Sequence, residues 1–310
     1  MIYTVTLNPC IDKALIVNKL ELNELNRAVS SRTDASGKGI NVSITLSVLD
    51  TKSIALGFMG APNKQLYDET LQNYNVESDF VYINSSTRTN TKIIDLFTNK
   101  QTDVSESGFP VEEFQKEQLF LMLSKYIDSS SIVDFSGSMP KNFSHSDYRK
   151  LVELALSKGA KVIIDSEKEN LSLAIEKKVL LIKPNQYEFE NYLGVEFTNK
   201  KDIANAALEM CKSGVENVIV SLGKDGCIFA TKENVFYSKT LDVPVKSITG
   251  AGDSVVAAFI SGYSKNLPYE DIIKLCMATS NACVMTDGSL PAEKDTINEL
   301  IKKIEIEKII

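Results

Sequence analysis

Ile132-Val133-Asp134-Phe135-Ser136, a helical stretch over 146–158, and Lys161-Val162-Ile163-Ile164-Asp165 form the passage that decides the fold. Each short run is apolar nearly throughout and rich in β-branched residues, the composition of a strand buried on both faces. Two such strands joined by a helix pair in parallel, because a crossover of that length returns the chain to the same edge. The alternation extends in both directions. A helix is expected over 111–127, and after Asp165 come a helix over 169–177, a strand over Val179–Lys183, helices over Gln186–Leu193 and 200–213, and a strand over Asn217–Leu222. The expected architecture is a three-layer α/β fold with a mostly parallel central sheet flanked by helices.

Towards the N-terminus the alternation is less regular. Strands are expected at Ile2–Leu7, Ala14–Val17, Ile54–Phe58, Phe80–Ile83 and Lys92–Phe97, the last closed by an Asn99-Lys100-Gln101 turn; helices fall at Asn41–Leu49 and Lys64–Tyr74. Towards the C-terminus, Cys227–Thr231 and Val235–Tyr237 read as a hairpin, followed by helices near 251–264, 268–284 and 292–304. With no repeat or long linker, residues 1–310 read as one domain. The segments 10–33 and 88–104 read as a small antiparallel element, which the pattern alone allows to be either a lid or ordinary edge strands.

Composition excludes several function classes. Apolar residues make up 43% and charged residues 24%, as in an ordinary water-soluble globule. The 34 basic and 41 acidic residues leave a net charge of -7 with no Lys/Arg block, which argues against a nucleic-acid partner. No apolar run is long enough for a membrane span, and the first dozen residues carry no basic leader. Five widely spaced cysteines without a Cys-x-x-Cys pair suit a reducing, cytoplasmic compartment; Cys276 and Cys283 read as small core hydrophobes. The single histidine, His145, excludes a multi-histidine zinc site and reads as a surface residue.

The strongest chemical signal is Ser247-Ile248-Thr249-Gly250-Ala251-Gly252-Asp253, which opens directly into the apolar run Ser254–Phe259. Gly250 and Gly252 permit turn dihedrals that let consecutive N–H groups converge on an anion, just where helix-end donors lack partners. Asp253 would sit beside that anion hole as a base for an incoming hydroxyl. The plain alternative is a helix start capped by an aspartate.

The turn has company in a fixed order: Thr6-Leu7-Asn8-Pro9-Cys10-Ile11-Asp12, Ser36-Gly37-Lys38-Gly39-Ile40-Asn41-Val42, Thr87-Arg88-Thr89-Asn90-Thr91-Lys92, Ser136-Gly137-Ser138-Met139-Pro140, Lys183-Pro184-Asn185-Gln186-Tyr187-Glu188 and Val220-Ser221-Leu222-Gly223-Lys224-Asp225-Gly226. Over nearly all its length the chain resembles the ribokinase-like (PfkB) carbohydrate kinases, in their phosphosugar branch. The resemblance implies a ribokinase-like fold with a small β-sheet lid, ATP and Mg²⁺ as cofactors, and a ketohexose phosphate as substrate, fructose 1-phosphate first and tagatose 6-phosphate second. It implies Asp253 as base with Gly250, Ala251 and Gly252 as the anion hole. The sugar would meet Asp12, Gly37, Lys38, Gly39, Asn41 and Ser138. Its resident phosphate would meet Arg88 and Lys92, four apart and on one face of a strand, with Lys38 joining them. The nucleotide would meet Lys183, Asn185, Ser221, Gly223, Gly226, Ser247 and Asn281, and Asn185 with Glu188 would serve Mg²⁺ through water. A homodimer through the lid is also implied, with Arg27 as a lid or interface residue.

Three places depart from the resemblance: Ser36 in place of a glycine, Gly60-Ala61-Pro62-Asn63-Lys64 without its second glycines, and Asp165-Ser166-Glu167 without a Ser-Gly pair. They motivate a second class of reading, a non-catalytic sugar-phosphate-binding protein. A dinucleotide-dependent oxidoreductase is disfavoured, since no Gly-x-Gly-x-x-Gly follows the first strand.

Overall fold

Apolar side chains alternate along each strand of the main sheet and so supply both of its faces. In the computed structural model, which describes residues 1–166 and 168–310, the chain runs β1 (Ile2–Thr6), β2 (Cys10–Val17), β3 (Ala28–Ser36), α1 (Lys38–Val48), β4 (Ile54–Gly60), α2 (Lys64–Asn73), β5 (Glu77–Ile83), β6 (Arg88–Asp95) and β7 (Lys100–Ser105). It continues through α3 (Glu113–Tyr126), β8 (Ile132–Ser136), α4 (His145–Ser157), β9 (Lys161–Asp165), α5 (Lys168–Lys177), β10 (Leu181–Ile182), α6 (Gln186–Leu193), α7 (Lys200–Ser213) and β11 (Asn217–Ser221). The remainder is β12 (Cys227–Ala230), β13 (Val235–Ser238), α8 (Ala251–Ser264), α9 (Tyr269–Cys283), α10 (Lys294–Ile301) and β14 (Glu307–Lys308).

Ten strands form the main sheet in the order β14-β13-β12-β11-β10-β9-β8-β1-β4-β5. From β11 to β5 all pairs are parallel, and β12 to β14 close one edge antiparallel. Val133 and Phe135 of β8, with Val162 and Ile164 of β9, pack under α3 to α7. Ile132 and Ile163 face the other way, under α1, α8, α9 and α10. The three-layer α/β architecture expected from the 132–165 passage is present.

Helix starts are fixed locally. Ser144 with Asp147 at α4, and Asn185 with Glu188 at α6, each satisfy two otherwise unpaired N–H groups reciprocally. Each cap follows the carboxyl end of a strand, so the chain turns back over the sheet and leaves the strand ends facing a common crevice.

A second sheet, ordered β3-β2-β6-β7, stands on this edge. It is not purely antiparallel as expected: β2 pairs with β6 in parallel, Cys10 opposite Arg88 and Val17 opposite Asp95. β2 continues from the carboxyl end of β1 and β6 from that of β5, and because those core strands are parallel the two leave the main sheet in the same direction. Tyr67 anchors the root, its buried hydroxyl donating to the carbonyls of Cys10 at 2.6 Å and Ser36 at 3.1 Å. The second strand begins at Cys10 rather than Ala14, and β6 at Arg88 rather than Lys92, because pairing with each other extends both. The run Val179–Lys183 yields only the two-residue β10, since Pro184 has no N–H to continue the ladder.

Candidate active site

The strand ends and the small sheet enclose a cleft of about 510 Å³. Of the residues singled out in the sequence, it brings together Asp12, Gly37, Lys38, Asn41, Arg88, Lys92, Ser138, Lys183, Glu188, Gly250, Gly252 and Asp253.

Asp253 lies in the first turn of α8 and is 7% exposed. Gly250, the residue preceding that helix, has φ 81°, a left-handed conformation that a residue with a Cβ adopts at a cost. A Cβ on residue 252 would stand 3.1 Å from Lys183 Nζ, so glycine there lets the ammonium approach the helix start. Asn41 Nδ2 donates to Asp253 Oδ2 at 2.8 Å, and Ser36 Oγ donates to Asn41 Oδ1 at 3.5 Å. Ser36, where the resemblance expects glycine, thus steadies the amide that holds the Asp253 carboxylate. Asn41 is committed to Asp253 and not left open to a sugar. Burial raises the Asp253 carboxyl above its ordinary range; Lys38 opposes this, and nearby Asp165 adds to it.

Asp165, absent from the sequence-derived site, is central to the charge pattern. It closes β9 at 3% exposure, with Oδ1 3.1 Å from Lys38 Nζ and Oδ2 3.4 Å from Lys183 Nζ. Burial pushes its carboxyl up, but Lys183 and Lys38 outweigh that and hold it below the usual range. Lys38 is therefore tied to Asp165 and does not join Arg88 as expected. For Lys38 burial acts downward, and Asp165, Asp253 and Glu188 together keep the ammonium above its ordinary range. Asp134, beneath them on β8, is fully buried: Ser136 Oγ donates to its Oδ1 at 2.7 Å, and its Oδ2 has no partner among the described residues. Burial drives its carboxyl up to about 8, with Asp165 and Asp253 adding to the rise.

At the opposite end, Arg88 Nη2 donates to Asn8 O at 3.3 Å and Ser138 Oγ at 3.4 Å, while Asn8 Nδ2 donates to Ser138 Oγ at 3.2 Å. Asn90 Nδ2 donates to Asp12 Oδ1 at 3.5 Å. Arg88 and Lys92 share a strand face but not a set of partners, because Lys92 Nζ reaches Thr249 Oγ1 at 2.7 Å. Buried oxygens without partners among the described residues include Thr6 Oγ1, Asn8 Oδ1 and Asn90 Oδ1, all on residues lining the cleft. Unpaired buried acceptors are costly unless a ligand donates to them, and a polyhydroxylated ligand carries the required O–H groups.

Other expected residues lie outside this lining. Asn185 and Glu188 form a reciprocal cap, each side chain accepting from the other's N–H at 2.8 Å; only Glu188 also faces the cleft. Ser221, Gly223 and Gly226 sit at the β11–β12 connection, where a Cβ on Gly226 would fall 2.1 Å from Ser238 O. That glycine serves strand packing. Gly39 likewise packs α1 onto β1, with Thr6 Oγ1 2.6 Å from where a Cβ would be. Ser247 Oγ accepts from Thr249 N at 3.2 Å within the turn. Asn281 is not open to a nucleotide: it is 3% exposed, accepts from Leu241 N at 2.9 Å and donates to Met277 O at 2.6 Å. Ala251 N–H leans to Ile248 O at 3.4 Å, so the freer donors at this helix start are those of the next residues.

The departures have local structural reasons. Asn63 Oδ1 accepts from Thr87 N at 2.8 Å, so the 60–64 segment braces the entry to β6. Ser166 Oγ donates to Gly137 O at 2.8 Å, and Glu167 lies outside the described residues. Asp165, Asn90 and Thr249 line the cleft without having been singled out. An acid ending an otherwise apolar strand was the available signal for Asp165; nothing local marks the other two.

A three-layer parallel α/β core whose strand ends meet a helix-start aspartate, three lysines and an arginine defines a phosphate-handling class of protein. Residues 5–295 match the model of the pfkB family carbohydrate kinases, and the chain belongs to that family. It is 32% identical to the 1-phosphofructokinase of Bacillus subtilis over the whole of both chains. It is 31% identical to the tagatose-6-phosphate kinase of Staphylococcus epidermidis over 99% of each. Among solved structures, phosphofructokinase-2 from Escherichia coli, in complex with substrates and products, superposes with a TM-score of 0.93 at 28% identity, covering 97% of this chain and 98% of that one.

Proposed function

We propose that this chain phosphorylates a ketohexose phosphate at the expense of ATP, converting fructose 1-phosphate to fructose 1,6-bisphosphate. The observation that carries the reading is one cleft holding an Asn41-aligned Asp253 at one end and the Arg88, Ser138 and Asn8 group at the other. Asp253 takes the proton of the attacking primary hydroxyl. The N–H groups at the start of α8, with Lys183 and Lys38, offset charge on the phosphoryl group as it passes to the sugar oxygen. Asp12 and Asn90 hold sugar hydroxyls, Arg88 takes the resident phosphate, and the small sheet acts as a lid that excludes water. A non-catalytic binding protein would not require a base held in this way.

Mg²⁺ fits the donors present. Glu188 has a carboxylate oxygen to spare beyond its cap, and Asn185 reaches an ion only through water, as its Oδ1 is engaged. The bound ion would neutralise the ATP phosphates. Five free, buried cysteines support a cytoplasmic location. Exposed Val29 on β3 and Val104 on β7 support a homodimer through the small sheet.

Near-equal likeness to both kinds of relative keeps tagatose 6-phosphate as the second substrate. ADP release measured with purified protein, MgATP and each ketose phosphate tests the reading. A higher kcat/KM for fructose 1-phosphate supports it, a preference for tagatose 6-phosphate selects the second substrate, and no transfer to either refutes the kinase assignment.

A further inference from the structure

The two cations of β6 serve different ends of the cleft. Their side chains leave the same face of the strand, but their α-carbons are separated by about 13 Å at the usual strand rise. Arg88 stays at the root of the small sheet among the Asn8, Pro9 and Glu106 carbonyls and the Ser138 hydroxyl, at 3.3–3.4 Å. Lys92 reaches across the cleft instead. Its Nζ donates to Thr249 Oγ1 at 2.7 Å and lies 3.4 Å from Asp12 Oδ2, with its side chain only 16% exposed.

Thr249 immediately precedes Gly250, so its hydroxyl belongs to the turn that delivers Asp253. Its backbone is braced on both sides: its N–H donates to Ser247 Oγ at 3.2 Å, and its carbonyl accepts from Cys283 Sγ at 3.6 Å. The hydroxyl is a neutral acceptor, so unlike the Asp12 carboxylate it fixes the ammonium without offsetting its charge. An ammonium has three donors, and the contacts with Thr249 and Asp12 leave one without a protein acceptor among the described residues.

We propose that Thr249 positions Lys92 at the phosphoryl-transfer end of the cleft, so that Arg88 binds the phosphate the substrate brings and Lys92 contacts the phosphoryl group being transferred. This rests on the kinase reading above. In the step itself one P–O bond to ADP breaks and one P–O bond to the sugar forms; the hydroxyl proton goes to Asp253, and no further reactant is needed. Lys92 then offsets the charge spread over the oxygens in flight, a contribution made in the transition state and not in sugar binding. Binding of both cations to the resident phosphate would instead require Lys92 to abandon Thr249 and Asp12.

The test uses the full chain and its Thr249→Val, Thr249→Ser, Lys92→Met and Arg88→Met variants. Steady-state kinetics are measured at saturating MgATP, and fructose 1-phosphate and tagatose 6-phosphate are titrated calorimetrically without ATP. Thr249→Val is expected to lower kcat about 10-fold with little change in sugar-phosphate KM, and Thr249→Ser, which keeps the hydroxyl, to retain kcat. Lys92→Met is expected to lower kcat about 10- to 100-fold while changing sugar-phosphate affinity by less than about threefold; Arg88→Met is expected to weaken that affinity at least about 10-fold. Unchanged kcat in Thr249→Val, or a loss of affinity in Lys92→Met equal to that in Arg88→Met, overturns the division of labour. Failure of the kinase reading is seen separately, as wild-type protein that transfers to neither sugar.

Discussion

Asn41 Nδ2 donates to Asp253 Oδ2 at 2.8 Å, joining residues 212 positions apart. The bond ties the start of α1, which follows Gly37, to the start of α8, which follows Gly250. By donating to the carboxylate it favours the ionised form against the upward push of burial.

Asp253→Asn keeps the side-chain volume and removes the carboxylate proposed as the base. Turnover is expected to fall at least about 10²-fold with the melting temperature and ATP affinity nearly unchanged. Near-normal kcat in this variant would remove Asp253 from proton transfer.

Asp165 is buried and bridges Lys38 and Lys183, so Asp165→Asn leaves two cations without their shared counter-charge. A loss of about 3 kcal/mol in urea unfolding at pH 7 is expected. Because the folded carboxyl titrates below its ordinary value, its contribution is present above the unfolded pKa and is lost as the pH falls through the folded one. The gap between wild type and variant should therefore narrow in acid; a gap independent of pH would show that the carboxylate charge is not what stabilises the fold.

Asp134 has the opposite sign. Its folded carboxyl is raised to about 8 from 3.8, so its own contribution to stability is greatest below the unfolded pKa and declines as the pH rises towards 8. Asp134→Asn abolishes that decline at about 1.4 kcal/mol per pH unit. The variant is expected to exceed wild type by a few kcal/mol at pH 8, with the difference shrinking to near zero at pH 4. Parallel stability curves for the two proteins would contradict a buried neutral acid.

Gly226→Ala is expected to cost about 1–3 kcal/mol in stability, since the new methyl group would meet Ser238 O and the backbone has φ 103°. With Gly226 outside the cleft lining, the KM for ATP should stay within about twofold; a rise in KM without loss of stability would return this glycine to the nucleotide site.

The core strands were legible because each carries its own signal. Ile132–Ser136 and Lys161–Asp165 are apolar runs with bounds that match the folded chain. β3 and β7 carry no such signal. Nearly all of β3 before Asp34 and all of β7 are exposed, so neither shows a buried alternation that would mark a strand. The parallel pairing of β2 with β6 was likewise hidden, because register between distant segments is set by their common exit from the core. In the site, residue types were readable and partners were not. Lys38 and Lys92 looked like free cations; each is paired with a group more than seventy positions away, Asp165 for one and Thr249 and Asp12 for the other.

The pairing of β2 with β6 also bears on how the molecule assembles. Its eight paired positions join strands that enter from opposite sides of a long stretch of chain containing β4, α2 and β5. Neither strand has this neighbour until the core strands stand side by side. The small sheet is therefore expected to form late and to be the first to lose amide-exchange protection when the core loosens. It cannot be transplanted as a contiguous cassette: swapping it between relatives means exchanging two separate stretches of chain together.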